Sequence, residues 1–439
     1  MPQRNLTWLL IVAVVSLTCH AEARRNRFAG ILSESIDKIS RYYVEPVDPR
    51  ALFDGGMRGM LNELDPYSGY ISPDMYNQFR VDIEQQFGGI GIEVGIENER
   101  ITILNPVPGT PAYDQGLMAG DVIMAIDGHD TTGFTLDDAV KLMRGPEGTI
   151  VRVEVLPHGA EKTKTYEIQR ARITVESVRG DARNQRGEWS FVLQENPRVG
   201  YIRLMSFGDR TVEELQASLE SIGGQVDGLI MDLRGNAGGL LTAAVDVCDM
   251  FIGPNQIVVT TRGRDPAITK EFTSQHPPLV DPQLPVVVLV DRYSASASEI
   301  FAACLQDYDR ATIVGERTWG KGTVQNVLEI EGGKSAIRLT TQTYWRPSGK
   351  NIHRHQNDPE DAAWGVSPAP QNTIPVEADE FRQVQQRRRD RDYGDMRSNS
   401  APIEETTETT PPAPVEDRQL QRAIQVLLEK IKAPESRAA

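Results

Sequence analysis

Two short stretches of this chain hold residue types that could do chemistry together. The run Ser294-Ala295-Ser296-Ala297-Ser298-Glu299 offers hydroxyls among side chains small enough to let a substrate carbonyl approach, and Gly320-Lys321-Gly322 offers an amine between two glycines. A hydroxyl becomes a nucleophile when a neighbouring base takes its proton, and a lysine can be that base if burial keeps it neutral. The pair points to a hydrolase with serine as nucleophile and neutral lysine as base. Each half also has a plain explanation: a capping hydroxyl at a tightly packed helix start, and a lysine in a solvated turn. The surrounding sequence decides between them.

Residues 286–290 form an unbroken β-branched and leucine run, which predicts a strand buried on both faces. Ile300, Phe301, Cys304 and Leu305 then recur at helical spacing. The serines therefore fall where a buried strand turns into a helix, whose first amides are unpaired and carry partial positive charge suited to a developing oxyanion. Residues 311–314 read as another short buried strand. The residues after it, 315–321, match the first part of a phosphate-binding loop, but Gly322 stands where Ser or Thr would hold magnesium, and 324–330 favour strand over helix. Nucleotide binding is set aside on that mismatch. Strands at 199–205 and 229–233, with helices at 212–222 and 243–251, alternate as an α/β domain does.

Residues 294–300, the 315–322 stretch and Gln325 together resemble the catalytic core of the C-terminal processing peptidases, also called tail-specific serine proteases. The family's nucleophile and lysine lie twenty-five positions apart, so the resemblance selects Ser296 with Lys321 and leaves Ser294 and Ser298 as neighbours. Gln325 fills the place of the glutamine that completes the family's site, and would orient the amine through its side-chain carbonyl without adding a charge. Asp232-Leu233-Arg234-Gly235-Asn236-Ala237-Gly238-Gly239 resembles the family's glycine-rich loop. That likeness implies an oxyanion hole made by the Gly238 amide with the Ala297 amide, Gly239 being the near alternative to Gly238. It also implies a crotonase-like core. Trp364-Gly365-Val366-Ser367-Pro368 is close to a segment near the family core's end, with Ala369 where an aspartate is common. A Ser-His pair using His353 or His355 is the competing arrangement.

Upstream, residues 87–168 are similar in motif order to a PDZ domain in the permuted arrangement seen in proteases. Such domains capture a free carboxyl terminus: loop amides hold the terminal carboxylate while the last residues pair with an exposed strand edge. The resemblance assigns that loop to Gly89, Ile90, Gly91 and Ile92, and puts Leu136, Val140 and Leu142 on or near the helix lining the groove. Core packing is the other role for Leu136 and Val140, and a β-bulge or hairpin is the plain role for the glycines. The module is expected to gate the protease.

Arg4, the apolar stretch 6–17 and Ala21-Glu22-Ala23 form a signal-peptide pattern. The run is short for a membrane span, so export to the periplasm or cell envelope is expected, with membrane anchoring by an uncleaved segment as the alternative. Ser16 replaces the usual lipobox leucine before Cys19, which argues against lipidation. The chain then divides into a signal peptide (1–23), an N-terminal helical region (24–83), the PDZ domain (84–172), the Ser/Lys peptidase core (173–375), a disordered linker (376–416) and a C-terminal amphipathic helix (417–433). The linker boundary follows the charge run 387–392 and the Thr-, Glu- and Pro-rich 406–414. Leu420, Ile424, Leu427, Leu428 and Ile431 give the last helix one apolar face, to dock on the body or on a second subunit. Residues 64–70 are read as a helix stop at Asp65-Pro66.

A length of 439 residues allows two or three domains, and a formal charge of −15 argues against a nucleic-acid partner. No residues have metal-ligand spacing and no cofactor is expected. Cys248 and Cys304 fall in apolar helix patterns, as buried thiols do. The reading is a multidomain α/β serine endopeptidase that recognises protein C-terminal tails through a PDZ domain and cleaves through an acyl-enzyme. Its partners are proteins or peptides with free C-termini; homo-oligomerisation and membrane proximity stay open. The rival is a catalytically inactive PDZ-containing binding or chaperone-like protein.

Overall fold

The computed structural model describes residues 27–76, 79, 86–184, 187–265, 269–355, 358–359, 362–397 and 416–432. The expected signal peptide and the Thr- and Pro-rich stretch 406–414 lie outside them. The chain divides into two compact units, residues 1–76 with 325–340 and residues 77–324 with 341–439. The core is thus not the single contiguous block expected from 173 to 375, because sixteen of its residues belong with the N-terminal helices.

In the first unit, α1 (Arg27–Tyr42) and α2 (Pro49–Asn62) lie within the helical region expected at 24–83. Asp48 starts α2 by accepting from the Arg50 amide, with Pro49 preset for the first turn. The short strand β1 (Gly69–Ile71) pairs antiparallel with residues 336–338.

The second unit begins with the PDZ sheet. Strands β2 (Ile92–Glu97), β3 (Arg100–Pro106), β4 (Val122–Ile126), β5 (Ile150–Leu156) and β6 (Lys164–Gln169) pair antiparallel in chain order. Their alternate residues, among them Ile101, Ile103, Val151, Val153 and Val155, fill its core. Helix α3 (Leu136–Met143) packs on this sheet, started by a reciprocal cap between Thr135 and Asp138.

The peptidase core is a parallel sheet of β7 (Asn196–Leu204), β8 (Gly228–Asp232), β10 (Val286–Val290) and β11 (Thr312–Gly315), adjacent in that order. Strand β9 (Ile257–Gly263) lies outside it, paired with the end of β13 (Ser335–Trp345), which in turn pairs with β12 (Thr323–Ile330). Helices α4 (Thr211–Ile222), α5 (Leu241–Asp249) and α6 (Ala297–Asp307) connect the strands. Because strand side chains alternate, Val286, Val288 and Val290 meet α5 and α6, while Val287 and Leu289 face the other way. Each such buried side chain contributes roughly 1.5–3 kcal/mol relative to exposure. Cys248 and Cys304 are free and buried in the first of these layers.

Two further helices close the chain, and the first corrects an expectation. Residues 378–397, placed in the disordered linker, form α7 (Ala378–Arg397). Composition gave no apolar stripe, but ion pairs dock it: Arg388 and Arg391 meet the fully buried Asp181, and Asp392 meets Arg203. Helix α8 (Arg418–Lys432) covers the Val287 face through Ala423, Val426 and Leu427. It docks on the body of its own chain.

Candidate active site

Three loops meet at the carboxyl ends of adjacent parallel strands, the position at which open α/β sheets bind ligands. They are the glycine-rich loop after β8, the serine loop after β10 and the lysine loop after β11. Hydrogen bonds sew the first two together. Ser294 Oγ donates to the Leu233 carbonyl at 2.8 Å, Ser298 Oγ to the Asn236 carbonyl at 2.9 Å, and the Ala295 amide to the same Asn236 carbonyl at 3.0 Å. Two of the three serine hydroxyls are therefore fully buried and spent on backbone. Ser296 is different. It stands at the first position of the turn into α6 with φ 57° and ψ −113°, a strained conformation for a residue with a side chain, and its hydroxyl pairs with the Tyr344 phenol. Burial, with a contribution from the Glu299 charge, pushes that phenol up to about 12 against the pull of the Ser296 bond, so it stays protonated.

Glu299 organises the centre. Its Oε2 accepts from the Ser296 and Lys321 amides, each at 2.8 Å. Its Oε1 accepts from the Gly320 amide at 2.7 Å and from Thr318 Oγ1 at 2.6 Å. One fully buried carboxylate thus ties the backbone of the serine to the backbone of the lysine. Burial pushes its carboxyl up, and the Thr318 hydroxyl and the three amides hold back part of that rise. The lysine loop is braced again by the Trp319 amide on the Ser294 carbonyl at 3.0 Å, and by the Val366 amide on Thr318 Oγ1 at 2.7 Å. Residues 364–368 are thus the clamp on this loop. Gly322 leaves no room for a side chain, since a Cβ there would lie 2.2 Å from the His353 amide nitrogen. Lys321 itself is half-buried. The histidines of the competing arrangement, His353 and His355, pack edge to face on each other, with ring centroids 4.8 Å apart.

The two expected oxyanion donors fare differently. Ala297 opens α6, and its amide has no acceptor among the described residues. Gly238 packs so closely that a Cβ on it would lie 2.8 Å from Ser296 Cβ, but its amide is taken by Asn236 Oδ1 at 2.8 Å. The Gly238 carbonyl accepts from the Phe207 amide at 3.0 Å. Across a trans peptide that turns the Gly239 N–H the opposite way, where nothing among the described residues accepts it. Of the two glycines, Gly239, the near alternative, is the one whose amide has no acceptor among the described residues. Gln325, on β12, belongs with the first unit, where its Nε2 donates to Thr340 Oγ1 at 3.1 Å.

In the PDZ domain the Ile90 carbonyl accepts from the Ala112 amide at 2.9 Å, and the Gly91 carbonyl from the Val107 amide at 2.8 Å. By the same peptide geometry the Gly91 amide points away from Ala112 and the Ile92 amide away from Val107. Gly91 sits at φ 78° and its Cβ would fall 2.3 Å from Thr110 Cβ. Gly89 lies earlier, paired with Ala171. Among the described residues β2 has a strand neighbour on one side only, leaving an edge to pair. Leu136 is exposed on α3, while Val140 and Leu142 are half-buried against the domain core.

Sequence reasoning missed the parts played by Glu299, Thr318 and Tyr344. Only the first left a signal: Glu299 follows Ser296 by three, the spacing of a capping box.

Comparison with known proteins matches three regions. A model of Peptidase family S41 covers residues 198–363, a PDZ domain model residues 78–156, and one described as Activating protease CtpB N-terminal domain residues 20–75. The chain is 36% identical over 348 residues to a carboxy-terminal-processing protease of Bartonella bacilliformis, spanning 78% of this chain and 76% of that one. It is 33% identical over 350 residues to the carboxy-terminal processing protease CtpB of Bacillus subtilis, spanning 79% and 70%. A solved photosystem II D1 C-terminal processing protease aligns at 28% identity over 78% of this chain and 92% of that one, with a TM-score of 0.43.

Proposed function

Because the chain belongs to the C-terminal processing peptidases, serine-type peptidases of family S41 that carry a PDZ domain, we propose that it grips a protein by its carboxyl end and cuts the nearby chain with Ser296 and Lys321. The observation that carries this reading is the pair of amides, from Ser296 and Lys321, on one oxygen of Glu299. They register nucleophile and base before substrate arrives.

A peptide lying over the half-buried lysine removes its remaining water and with it the preference for the charged form. Neutral Lys321 then takes the Ser296 proton as Oγ attacks the scissile carbonyl. The carbonyl oxygen gains its charge against the amides of Ala297 and Gly239, in the field of the α6 N-terminus. Collapse expels the amine, which receives the proton back from Lys321 and leaves an acyl-enzyme. Water activated by the same lysine hydrolyses it. The amides of Gly91 and Ile92 suit the tail's carboxylate. The signal-peptide pattern assigns this activity to an exported protein of the periplasm or cell envelope.

The test sets wild-type protein beside Ser296→Ala and Lys321→Arg on an unfolded protein with a free tail. Both variants should lose at least ~10³-fold in rate, the second because arginine keeps its proton. Equal cleavage by Ser296→Ala ends the assignment, and substantial cleavage by Lys321→Arg means another base. Capture of the tail by wild type without any cleavage favours the binding-protein rival.

A further inference from the structure

A cavity of about 610 Å³ opens between the carboxyl end of β7, the glycine-rich loop and α7. Its floor is apolar, made by Met205, exposed at the end of β7, and by Phe381, whose ring packs on that of Tyr293 with centroids 5.0 Å apart. Its rim is polar and basic. Arg382, Gln386 and Arg389 supply it, exposed at i, i+4 and i+7 along one stripe of α7, while Arg388, Arg391 and Asp392 on the neighbouring face dock the helix. No described Asp or Glu lines the cavity, in a chain that has 62 of them and a formal charge of −15.

The charges around it are unequally matched. Arg234 is spent on Asp232 and Asp417, and Arg382 shares its charge with the exposed Asp379 one turn back. Arg389 has only a neutral partner among the described residues, Gln386 Oε1 at 2.7 Å. A cation over an apolar floor complements a carboxylate carried on an aliphatic stem. Short spans of backbone tie this cavity to the chemistry. The Gly235 amide in its wall donates to Asp291 Oδ1 at 3.0 Å, and the same oxygen takes the Tyr293 and Ser294 amides, each at 3.0 Å. Met205 lies two residues before Phe207, whose amide donates to the Gly238 carbonyl at 3.0 Å. From Gly235 to Gly238 the chain spans at most about 11 Å, and a Cβ on Gly238 would lie 2.8 Å from Ser296 Cβ. The wall is thus within roughly 15 Å of the nucleophile, the reach of about four residues of extended peptide.

We propose that this cavity is a substrate subsite that takes an acidic side chain of the polypeptide being cut, three or four residues from the scissile bond, with Arg389 as the specificity-determining charge. This rests on the peptidase reading above, since the segment recognised is the one stretched over Ser296. The group it takes is a side-chain carboxylate within the chain, not the carboxyl terminus. Because the cation sits on an exposed rim, its attraction is screened by salt, and because it lies away from the reacting carbonyl it acts on capture and not on turnover.

The experiment uses peptides that share one cleavage site and one tail, with Glu, Gln or Lys placed in turn at each of the four positions on either side of the scissile bond. Values of kcat and KM are compared for wild type, Arg389→Gln and Arg389→Glu. Each preference is a ratio taken within one protein, so a variant's folded fraction cancels. Wild type should favour Glu over Lys about fivefold or more in kcat/KM at the third or fourth position of one side, mainly through KM. In about 1 M salt, where the Debye length is ~3 Å, the ratio should fall below about twofold. Arg389→Gln should lower it to about twofold or less at that position, and Arg389→Glu should invert it. A wild type indifferent to charge at every position overturns the subsite, as does a preference that Arg389→Glu leaves intact. A preference that fades as enzyme concentration rises gives the cavity to a second copy of the chain and overturns it too. Cleavage without charge preference removes only the subsite; if wild type cuts none of the peptides, the peptidase reading falls and the subsite with it.

Discussion

Two cradles of backbone amides in this chain are shaped for a carboxylate, and they differ in whether one is already present. In the peptidase core the amides of Ser296, Gly320 and Lys321, with the Thr318 hydroxyl, converge on the chain's own Glu299. In the PDZ domain the amides of Gly91 and Ile92 point away from Ala112 and Val107, whose amides the Ile90 and Gly91 carbonyls accept, and β2 has a strand neighbour on one side only among the described residues. The same donor chemistry gives opposite results. Filled from within, it welds two loops into one rigid centre; in the PDZ domain it is proposed to take the end of another chain. Preorganisation and recognition are here two uses of one device.

The largest effect should come from spoiling the filled cradle. Glu299→Gln keeps the shape but sets an NH2 group against at least one buried amide donor whichever way it lies: Ser296 and Lys321 in one orientation, Gly320 in the other. Each buried donor left unsatisfied costs roughly 1–3 kcal/mol, and the shifted loops should lower kcat by about 10²-fold. Melting curves and steady-state kinetics read both, and a variant with wild-type turnover would leave the carboxylate as mere packing. Next comes the open cradle. Gly91→Ala puts a Cβ 2.3 Å from Thr110 Cβ at a φ of 78°, which should weaken tail binding about tenfold or more. Titrating a labelled tail peptide into Ser296→Ala protein, with and without this substitution, measures it; equal affinities would move the carboxylate site elsewhere.

The smallest effect contrasts amides with guanidinium as partners for a buried carboxylate. Burial alone would raise Asp232, but the charge and hydrogen bonds of Arg234 and the Tyr201 hydroxyl overcome this and bring it to about 2. Its folded value lies below the unfolded one of about 4, so the stability it contributes is present above pH about 4 and is lost as pH falls toward 2. Asp232→Asn should therefore show a flatter dependence of melting temperature on pH across that window than wild type, and parallel curves would discount the pairing. Glu299, whose value moves upward, contributes no such acid loss there.

How much of this was legible beforehand follows from the kind of force involved. Helix α8 was readable because Leu420, Ile424, Leu427 and Ile431 fall on one face at helical spacing, and β10 because its valines are buried on both sides whatever the topology. Helix α7 was not, because what docks it is a set of ion pairs with Asp181 and Arg203, some two hundred positions away, and charge in a sequence looks the same whether it meets solvent or a buried partner. Glu299 was half-readable: its spacing from Ser296 signals a cap, but nothing local shows that the same carboxylate also gathers Gly320 and Lys321. Gly238 was the expected oxyanion donor, yet the Asn236 side chain two residues earlier reaches its amide first. Asp65 was taken for a helix stop because its partner, Thr340, comes 275 positions later.

By itself, the sequence determined the family, the order of strands and helices in the core, the strand-to-helix turn that carries Ser296 and the glycine-rich loops. These depend on periodicity, residue size and turn chemistry, which act over a few residues. Only the tertiary structure decided that the Ser294 and Ser298 hydroxyls are spent on backbone carbonyls and which glycine amide remains unspent. Those choices belong to hydrogen-bond partners brought together by chain crossovers, and each donor's single proton can be assigned only when every acceptor around it is in place.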